Sequence, residues 1–253
     1  MVKISAVIIS YNEEKYIGQC LSSLEGIADE VIVVDSFSTD RTSDICREHG
    51  VKFTTRAFNG YRDQKNFAAS LASNNLIFSI DADEAVSEQL KESLLEFKRD
   101  SSGIDYCTVN RLNRCSGKWI RHSGLYPDRK IRLYNRNKGS WSGFNVHETV
   151  KMNAGSRKRH LNGDLLHYVY DTFEEFAEKS EKYARFCGAE YHARGRKAGF
   201  FTPALHMIWR FLFNYTVRGG FLDGYHGYMI CRLNARYVYL KYNTLRDLNR
   251  GIK

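Results

Sequence analysis

One acidic strand end decides the fold of this chain: Leu76-Ile77-Phe78-Ser79-Ile80-Asp81-Ala82-Asp83-Glu84. The segment begins as a short apolar run with the length and β-branched content of a buried strand. It ends in three carboxylates, which are rarely buried unless they are paired or hold a metal. The strand is therefore predicted to reach the surface at Asp81, with the acidic cluster at its carboxyl end.

The two aspartates of this segment, Asp81 and Asp83, are separated by a single alanine. Alternate residues of an extended segment share a face, so both carboxylates are predicted to point the same way. Two hard oxygen donors placed like this suit Mg²⁺ or Mn²⁺ shared with a diphosphate. The alternative is an acidic turn that merely starts the next helix. The tripeptide alone favours this alternative, because short motifs are weak signals.

Other apolar runs near the N terminus also end in polar residues. Strands are predicted over residues 3–10, 30–34 and 51–55, with helices between them. This alternation predicts a mostly parallel sheet with helices on both faces. Right-handed crossovers bring the carboxyl ends of such strands to one edge, which is where open α/β sheets bind ligands. The polar residues expected at that edge are Asn12, Glu13, Asp35, Asp81 and Asp83.

The glycine-rich motifs that bind phosphates in many α/β proteins are absent. No G-x-G-x-x-G follows the first strand, and no G-x-x-x-x-G-K-[ST] occurs in the chain. An acidic edge that holds a divalent cation is another way to bind a nucleotide diphosphate, because the cation neutralises the phosphates.

The pattern changes after Asp105. Alternating strands are predicted at residues 106–109 and 130–134, and the segment between them is rich in aromatic residues, glycine and charge. Aromatic rings mixed with polar groups suit a sugar acceptor, which offers apolar ring faces and hydroxyls together. For any single aromatic residue of this segment, ordinary packing against the edge of the sheet is favoured over contact with a sugar.

The best general-base candidate of this half is the pair His147-Glu148. A carboxylate beside a histidine can take a hydroxyl proton if it reaches the acceptor, although a structural ion pair explains the pattern equally well. Asp128 is the second candidate for the base. His167 follows another strand-like run and is a candidate metal ligand, with a core histidine as the favoured alternative.

The charge of the chain is concentrated near its C terminus. The net charge is +9, and from Ala193 onward the chain holds eleven Lys or Arg against two Asp or Glu, so the remainder, with 27 of each sign, is neutral. Helices are predicted from Thr172 onward, with basic residues beside Trp, Phe and Tyr. This composition is typical of a helix that lies at a membrane surface. The alternatives are a helical subdomain packed on the sheet and a homodimer contact.

Two further observations concern the compartment. The six cysteines form no CxxC and no metal-type pattern with histidine, which indicates reduced thiols. We expect no signal peptide, since Met1-Val2-Lys3 leads into a strand-like run, and no apolar stretch of about 18 residues occurs in the sequence. We therefore expect a cytoplasmic protein that contacts the membrane only peripherally.

Four motifs of the first half resemble family 2 glycosyltransferases, which have the GT-A fold. They are Val7–Glu14, Val33–Asp40, Gln64–Asn66 and Asp81–Glu84. Later motifs are similar to the bacterial lipopolysaccharide core glycosyltransferases of the β-1,4-glucosyltransferase type. These later motifs are Tyr126–Asp128, Arg132–Tyr134, Val146–Glu148 and Gly219–Gly224.

The resemblance implies an α/β GT-A fold, Rossmann-like, with a mostly parallel mixed sheet flanked by helices and a C-terminal helical extension. Residues 1–170 would be the catalytic domain, with a nucleotide-sugar half at 1–100 and an acceptor half at 101–170. Residues 171–253 would be the basic, aromatic extension, which would bring a soluble enzyme to a lipid-linked acceptor at the inner leaflet of the cytoplasmic membrane.

The resemblance also implies an activity, which is inverting, metal-dependent transfer of a hexose onto a lipopolysaccharide core or another glycolipid or polysaccharide. In the subgroup named above, the hexose would be glucose and the donor a UDP-sugar. For the donor, the resemblance implies that Asn12 and Glu13 contact the nucleobase and ribose, that Asp35 contacts the uracil or ribose, and that Lys65 contacts the nucleotide. Asp81 would contact the ribose or sugar, and Asp83 would ligate the metal. Glu148 would be the general base.

Two alternatives from other classes remain. A nucleotidyltransferase of the same fold would usually need a glycine-rich, basic loop after the first strand, where Glu13 and Glu14 would instead repel a triphosphate. The second alternative is a non-catalytic module that binds nucleic acid through its basic tail. The absence of RRM, KH and zinc-finger signatures argues against it, so no nucleic-acid partner is expected.

Overall fold

The computed structural model describes residues 1–143 and 148–251 of the chain. These residues form two compact units. The sheet unit comprises Met1–Arg111 and Asp128–Tyr168, and the helical unit comprises Leu112–Pro127 and Val169–Lys253. His147, one of the predicted catalytic residues, lies outside the described residues.

The described residues form eleven strands and seven α-helices. The strands are β1 Ile4–Ser10, β2 Glu30–Asp35, β3 Lys52–Thr55, β4 Leu76–Ser79, β5 Glu84–Val86, β6 Tyr106–Cys115, β7 Lys118–Ile120, β8 Asp128–Asn135, β9 Gly139–Ser142, β10 Thr149–Met152 and β11 Lys158–Tyr170. The helices are α1 Ile17–Ser23, α2 Thr42–Glu48, α3 Tyr61–Ser70, α4 Glu88–Arg99, α5 Phe173–Ala193, α6 Thr202–Leu212 and α7 Gly224–Asn249.

The main sheet is mixed and has the strand order β3-β2-β1-β4-β8-β6-β11-β5. The first four strands of this order are parallel to one another. Strand β8 is antiparallel to both β4 and β6, and β11 is antiparallel to β5. The predicted α/β fold with a mixed sheet and flanking helices is confirmed. These parallel pairs lie in the first half of the chain, where helices connect consecutive strands.

The parallel strands are apolar along their whole length because both faces of the sheet are covered. Alternate side chains of β1 enter two separate clusters. One contains Ile4, Ala6 and Ile8 together with residues of α1 and α4, and the other contains Val7 with residues of β2 and α3. This burial fixes the register of β1 and so positions the residues that follow its carboxyl end.

The opening acidic segment breaks where its carboxylates begin. Strand β4 ends at Ser79, and the amide of Glu84 donates to the carbonyl of Asp81 at 3.0 Å, which makes a tight turn. Residues 84–86 then form β5, which pairs with β11 at the far end of the strand order. The turn therefore holds Asp81 and Asp83 at the carboxyl end of β4.

The helical unit contains the three C-terminal helices that the sequence predicts. Helices α5 and α7 contribute Phe176, Ile230 and Leu233 to a small apolar cluster that also contains Cys115 and Ile120. A short π-helical turn, Phe213–Val217, follows α6. Within the described residues, none of the helices combines the length and the apolar character needed to cross a bilayer.

Candidate active site

A cleft of about 560 Å³ lies in the sheet unit at the carboxyl ends of β1 and β4. Its lining combines aromatic residues, carboxylates, a lysine and a histidine. The lining residues are Ile9, Ser10, Tyr11, Glu13, Ser36, Phe58, Tyr61, Lys65, Asp81, Ala82, Asp83, Glu148 and His167. The binding edge predicted from the strand ends thus coincides with a cleft large enough for a small-molecule ligand.

Asp81 is held between two cations. Its Oδ1 lies 2.9 Å from the Nζ of Lys65, and its Oδ2 lies 2.7 Å from the Nη2 of Arg132. Burial alone would raise the pKa of Asp81, but the charges of Arg132 and Lys65 outweigh it and hold the pKa well below its ordinary value. Asp81 is therefore an ionised, already compensated carboxylate.

Arg132 also holds the turn that carries the acidic motif. It donates to Glu84, whose side chain is fully buried, while the other oxygen of Glu84 accepts from the amide of Asp81 at 3.0 Å. Arg111 lies 3.6 Å from Glu84 and 2.7 Å from Asp128. This chain of charges fixes the backbone between Asp81 and Glu84.

Asp128 belongs to that network and is not among the residues lining the cleft. It stands at the start of β8, where Lys130 also contacts it at 3.0 Å. Burial would raise its pKa, but Arg111 and Lys130 lower it below the ordinary value. An ionised carboxylate held by two cations is a poor proton acceptor.

Asp83 and His167 face each other in the cleft. The Oδ2 of Asp83 lies 3.3 Å from the Nε2 of His167, and β11 brings the histidine there because it pairs with β5. The amide of Tyr168 donates to the carbonyl of Asp83 at 2.9 Å and fixes the aspartate backbone. A carboxylate oxygen and an imidazole nitrogen so placed suit a divalent cation such as Mn²⁺.

This pair would supply only part of a coordination shell. Within residues 1–143 and 148–251, no group of three or more His, Cys, Asp or Glu is arranged to hold a metal. A cation at Asp83 and His167 would therefore take its remaining ligands from water and from the phosphates of a bound nucleotide, as Mg²⁺ commonly does.

Glu148 reaches the same cleft from the other side of Lys65. Its Oε1 lies 3.5 Å from the Nζ of Lys65, which in turn sits 4.4 Å from the ring centre of Trp141. The second oxygen of Glu148, Oε2, is buried and has no hydrogen-bond partner among the described residues. A buried carboxylate oxygen that lacks a protein partner is a candidate for contact with a ligand.

Asn12 and Asp35 shape the cleft without lining it. Asn12 adopts a positive φ of 53°, and its Oδ1 accepts from the amide of Thr39 at 2.8 Å. Asp35 is 1% exposed and accepts from the Ser10 hydroxyl and from the Ser38 amide, at 2.8 and 2.7 Å. Both residues tie the loop after β2 to the end of β1.

Of the predicted site residues, six line the cleft: Glu13, Lys65, Asp81, Asp83, Glu148 and His167. The role of Arg132 was not predicted, because β8 carries several charged residues and its sequence does not distinguish a buried arginine from an exposed one. The aromatic rim, in which Phe58 and Tyr61 pack edge to face with ring centres 5.0 Å apart, was also not predicted.

A second cleft, of about 500 Å³, lies at the opposite ends of the strands. Its carboxylates already have protein partners, since Asp29 bonds to Lys98 at 2.8 Å and Glu30 pairs with Lys52. The described residues that line it include Asp29, Glu30 and His49 but no aromatic side chain.

Comparison with known proteins identifies the class of this enzyme. Residues 5–163 match the family model described as glycosyl transferase family 2. An uncharacterized glycosyltransferase of Rickettsia typhi is 30% identical over 98% of this chain and 88% of its own length. The chain therefore belongs to glycosyl transferase family 2 and is a glycosyltransferase of GT-A fold, which sets aside the nucleotidyltransferase and nucleic-acid-binding alternatives.

A second relative carries a more specific name. The lipopolysaccharide core biosynthesis glycosyltransferase LpsC of Rhizobium meliloti is 30% identical over 94% of this chain and 93% of its own length. Among solved structures, glucosyl-3-phosphoglycerate synthase from Mycobacterium tuberculosis, in complex with Mn²⁺, UDP and glucosyl-3-phosphoglycerate, is 25% identical. The match covers 45% of this chain and 44% of that chain with a TM-score of 0.37.

Proposed function

We propose that this protein is an inverting glycosyltransferase that moves a hexose, glucose in the first instance, from a UDP-sugar onto a lipid-linked saccharide of the lipopolysaccharide core type. The observation that carries the proposal is a single cleft lined by Asp83, His167 and Glu148, whose Oε2 has no hydrogen-bond partner among the described residues. A metal-binding pair and a proton acceptor in one cleft are what transfer from a sugar diphosphate requires.

The donor half of the cleft would bind the nucleotide. The aromatic rim of Tyr11, Phe58 and Tyr61 offers ring faces for the nucleobase, and Glu13 and Ser36 offer polar contacts for the ribose. Asn12 and Asp35 would act by holding the loop in place. Asp81, which Lys65 and Arg132 already compensate, would accept hydroxyls of the ribose or of the sugar.

Asp83 and His167 are the residues that would hold the cation, Mn²⁺ or Mg²⁺. When bound, the cation would neutralise the diphosphate and make it a better leaving group. Two cationic contacts on Asp81 leave Asp83 as the more suitable carboxylate ligand. In this proposal the metal ligands are therefore Asp83 and His167, and Asp81 lies near them without ligating the metal.

Glu148 would act as the general base. Its Oε2 would take the proton from the acceptor hydroxyl while the hydroxyl oxygen attacks the anomeric carbon. The bond between that carbon and the diphosphate oxygen breaks as the new bond forms on the opposite face, which inverts the configuration and releases the nucleoside diphosphate. Lys65, between Asp81 and Glu148, would keep both carboxylates in position.

The acceptor is proposed from the relative and from the charge of the chain. The name of the Rhizobium meliloti relative points to a lipopolysaccharide core. The excess of basic residues after Ala193 favours an acceptor held at the anionic inner leaflet of the cytoplasmic membrane. In this proposal residues 1–170 carry catalysis and residues 171–253 approach the membrane.

The test compares Glu148→Gln with Asp83→Ala. We expect Glu148→Gln to lower turnover about 10²- to 10⁴-fold, because it removes the proton acceptor and preserves the shape of the side chain. Calorimetric binding of UDP in the presence of Mn²⁺ should remain unchanged in this variant. Asp83→Ala should instead lose the Mn²⁺-dependent part of UDP binding.

Glu92→Gln is the control, since it removes an exposed carboxylate of α4 that does not line the cleft, and it should turn over like the wild type. Turnover of Glu148→Gln at the wild-type rate would contradict the assignment of the base. If the wild-type protein binds UDP equally well with and without Mn²⁺ or Mg²⁺, the proposed metal dependence is wrong.

A further inference from the structure

Helix α6 leaves an apolar face exposed. Leu205, Ile208, Trp209 and Leu212 follow one another at positions i, i+3, i+4 and i+7 and form what we name the α6 face. Each of the four is at least 50% exposed, and Trp209 is 65% exposed. A contiguous apolar stripe of this kind on a helix marks a surface that contacts something other than water.

Exposed apolar residues also flank α6 in the sequence. Phe200 and Phe201 precede the helix and are 63% and 70% exposed. Val217, Phe221 and Leu222, which follow it, are also more than half exposed. The side chains include both aliphatic and aromatic groups, which is the mixture found on helices that lie in a lipid headgroup region.

A cationic groove borders the α6 face. It has a volume of about 250 Å³, lies between α6 and α7, and shares Trp209 with the apolar face. Its lining residues are His206, Trp209, Arg210, Phe213, Val238, Lys241 and Tyr242. Among the described residues that line it there is no carboxylate, so its charge is set by Arg210 and Lys241.

Aromatic rings contact Lys241 and His206 in this groove. The Nζ of Lys241 lies 4.9 Å from the ring centre of Tyr242 and 5.0 Å from that of Tyr191. The ring of His206 stacks on Tyr242 with centres 4.2 Å apart. Lys241, held by aromatic rings, and Arg210 in the same open groove suit an anion with several oxygens, such as a phosphate.

Charge decides between the candidate occupants of this surface. A second copy of the chain related by a two-fold axis would bring two cationic grooves together, which is unfavourable. Nucleic acid would satisfy the cations but would leave the aliphatic residues Leu205, Ile208 and Leu212 without an apolar partner. An anionic lipid layer satisfies both, because acyl chains accept the apolar face and headgroup phosphates accept the cations.

We propose that the α6 face inserts into the headgroup region of an anionic membrane and that the cationic groove binds the phosphate of a lipid headgroup. The inference deepens the proposed function, since it names the surface through which the enzyme would reach a lipid-linked acceptor. It rests on that proposal only for the location of the acceptor.

The test is co-sedimentation of the full chain with vesicles, without donor or acceptor. The vesicles are phosphatidylcholine alone and phosphatidylcholine mixed with phosphatidylglycerol. We expect binding to the mixed vesicles that weakens with added salt, and little binding to the neutral ones. Arg210→Gln should weaken binding about fivefold, and Leu205→Ser with Leu212→Ser should weaken it at least about tenfold.

Matched controls lie in the sheet unit. Leu71→Ser removes a leucine that is 41% exposed, and Arg47→Gln removes an exposed arginine. Both should bind vesicles like the wild type, and thermal unfolding should show that all variants are folded. Because vesicle binding is measured separately from calorimetric UDP binding, failure of one does not imply failure of the other.

Three results would overturn the proposal. The first is equal binding to neutral and anionic vesicles. The second is equal binding by the α6-face variants and the sheet-unit controls. The third is a wild-type dimer in solution that the Leu205→Ser, Leu212→Ser variant converts to a monomer while vesicle binding is absent, which would assign the face to a second copy of the chain.

Discussion

At the scale of single residues, Arg132 is a buried arginine of the sheet unit that compensates two carboxylates. It is 3% exposed and bonds to both Asp81 and Glu84. Replacing it by Met would leave the buried carboxylate of Glu84 with the longer contact to Arg111, at 3.6 Å, as its cation. We expect Arg132→Met to lower the free energy of unfolding by about 3–5 kcal/mol, as measured by urea unfolding.

Arg129→Met is the control for this variant, because Arg129 is an exposed arginine on the same strand, β8. It should change the free energy of unfolding by less than about 0.5 kcal/mol. Equal urea midpoints for the two variants would show that Glu84 and Asp81 do not depend on Arg132 for compensation.

The same residues show how far the sequence reaches at this scale. Asp81 and Asp83 could be predicted as a ligand-binding pair because they follow an apolar strand, a local pattern. The sequence could not predict that Asp81 is compensated by cations while Asp83 is the proposed metal ligand. This difference depends on Arg132, which is 51 residues from Asp81 in the chain. His167 could be placed next to Asp83 only once the pairing of β11 with β5 was known.

At the scale of secondary structure, β11 crosses closely over the start of α4. Gly163 has a φ of +90°, and a Cβ there would lie 2.3 Å from the amide nitrogen of Leu90. Ser87, the N-cap of α4, accepts from the amides of both Leu90 and Asp164 and so holds the two elements together. The close approach requires glycine at this position.

We therefore expect Gly163→Ala to destabilise the protein more than Gly155→Ala does. Both positions have a positive φ, but a Cβ at Gly155 would meet nothing within 4 Å. Both variants lose about 1–2 kcal/mol to backbone strain, and Gly163→Ala should lose a further 1–3 kcal/mol, roughly, to the clash with Leu90. Matching urea unfolding curves for the two variants would exclude the clash.

Element prediction succeeded where the pattern is local. The parallel strands and the C-terminal helices follow from runs of apolar residues and from helical spacing. The order of the antiparallel half did not follow, because β8, β6 and β11 pair across distances in the chain that no local pattern records. Strand β5, residues 84–86, was not predicted for the same reason, since its partner β11 lies about 80 residues further along the chain.

At the scale of the whole molecule, carboxylates with lowered pKa values are spread through the sheet unit. Asp29, Asp40, Asp81 and Asp128 all have pKa values below their ordinary range. For Glu30, burial raises the pKa, but hydrogen bonds from Lys52, Ser5 and Ser73 lower it from 4.5 to about 2. Each group prefers its ionised form in the folded state.

This distribution predicts that the protein loses stability in acid. A carboxylate whose pKa is lower in the folded chain stabilises the fold fully above its unfolded value and loses that contribution as the pH falls through its folded value. For Glu30 that window runs from about 4.5 down to about 2. We expect the urea midpoint to be steady from pH 7 to 5 and to fall progressively below pH 4.5.

Glu30→Gln should be less stable than the wild type at pH 7, and the difference between the two should shrink toward pH 2, because protonation removes the same charge that the substitution removes. A difference that stays constant over this range would mean that the Glu30 carboxylate contributes nothing through its ionisation.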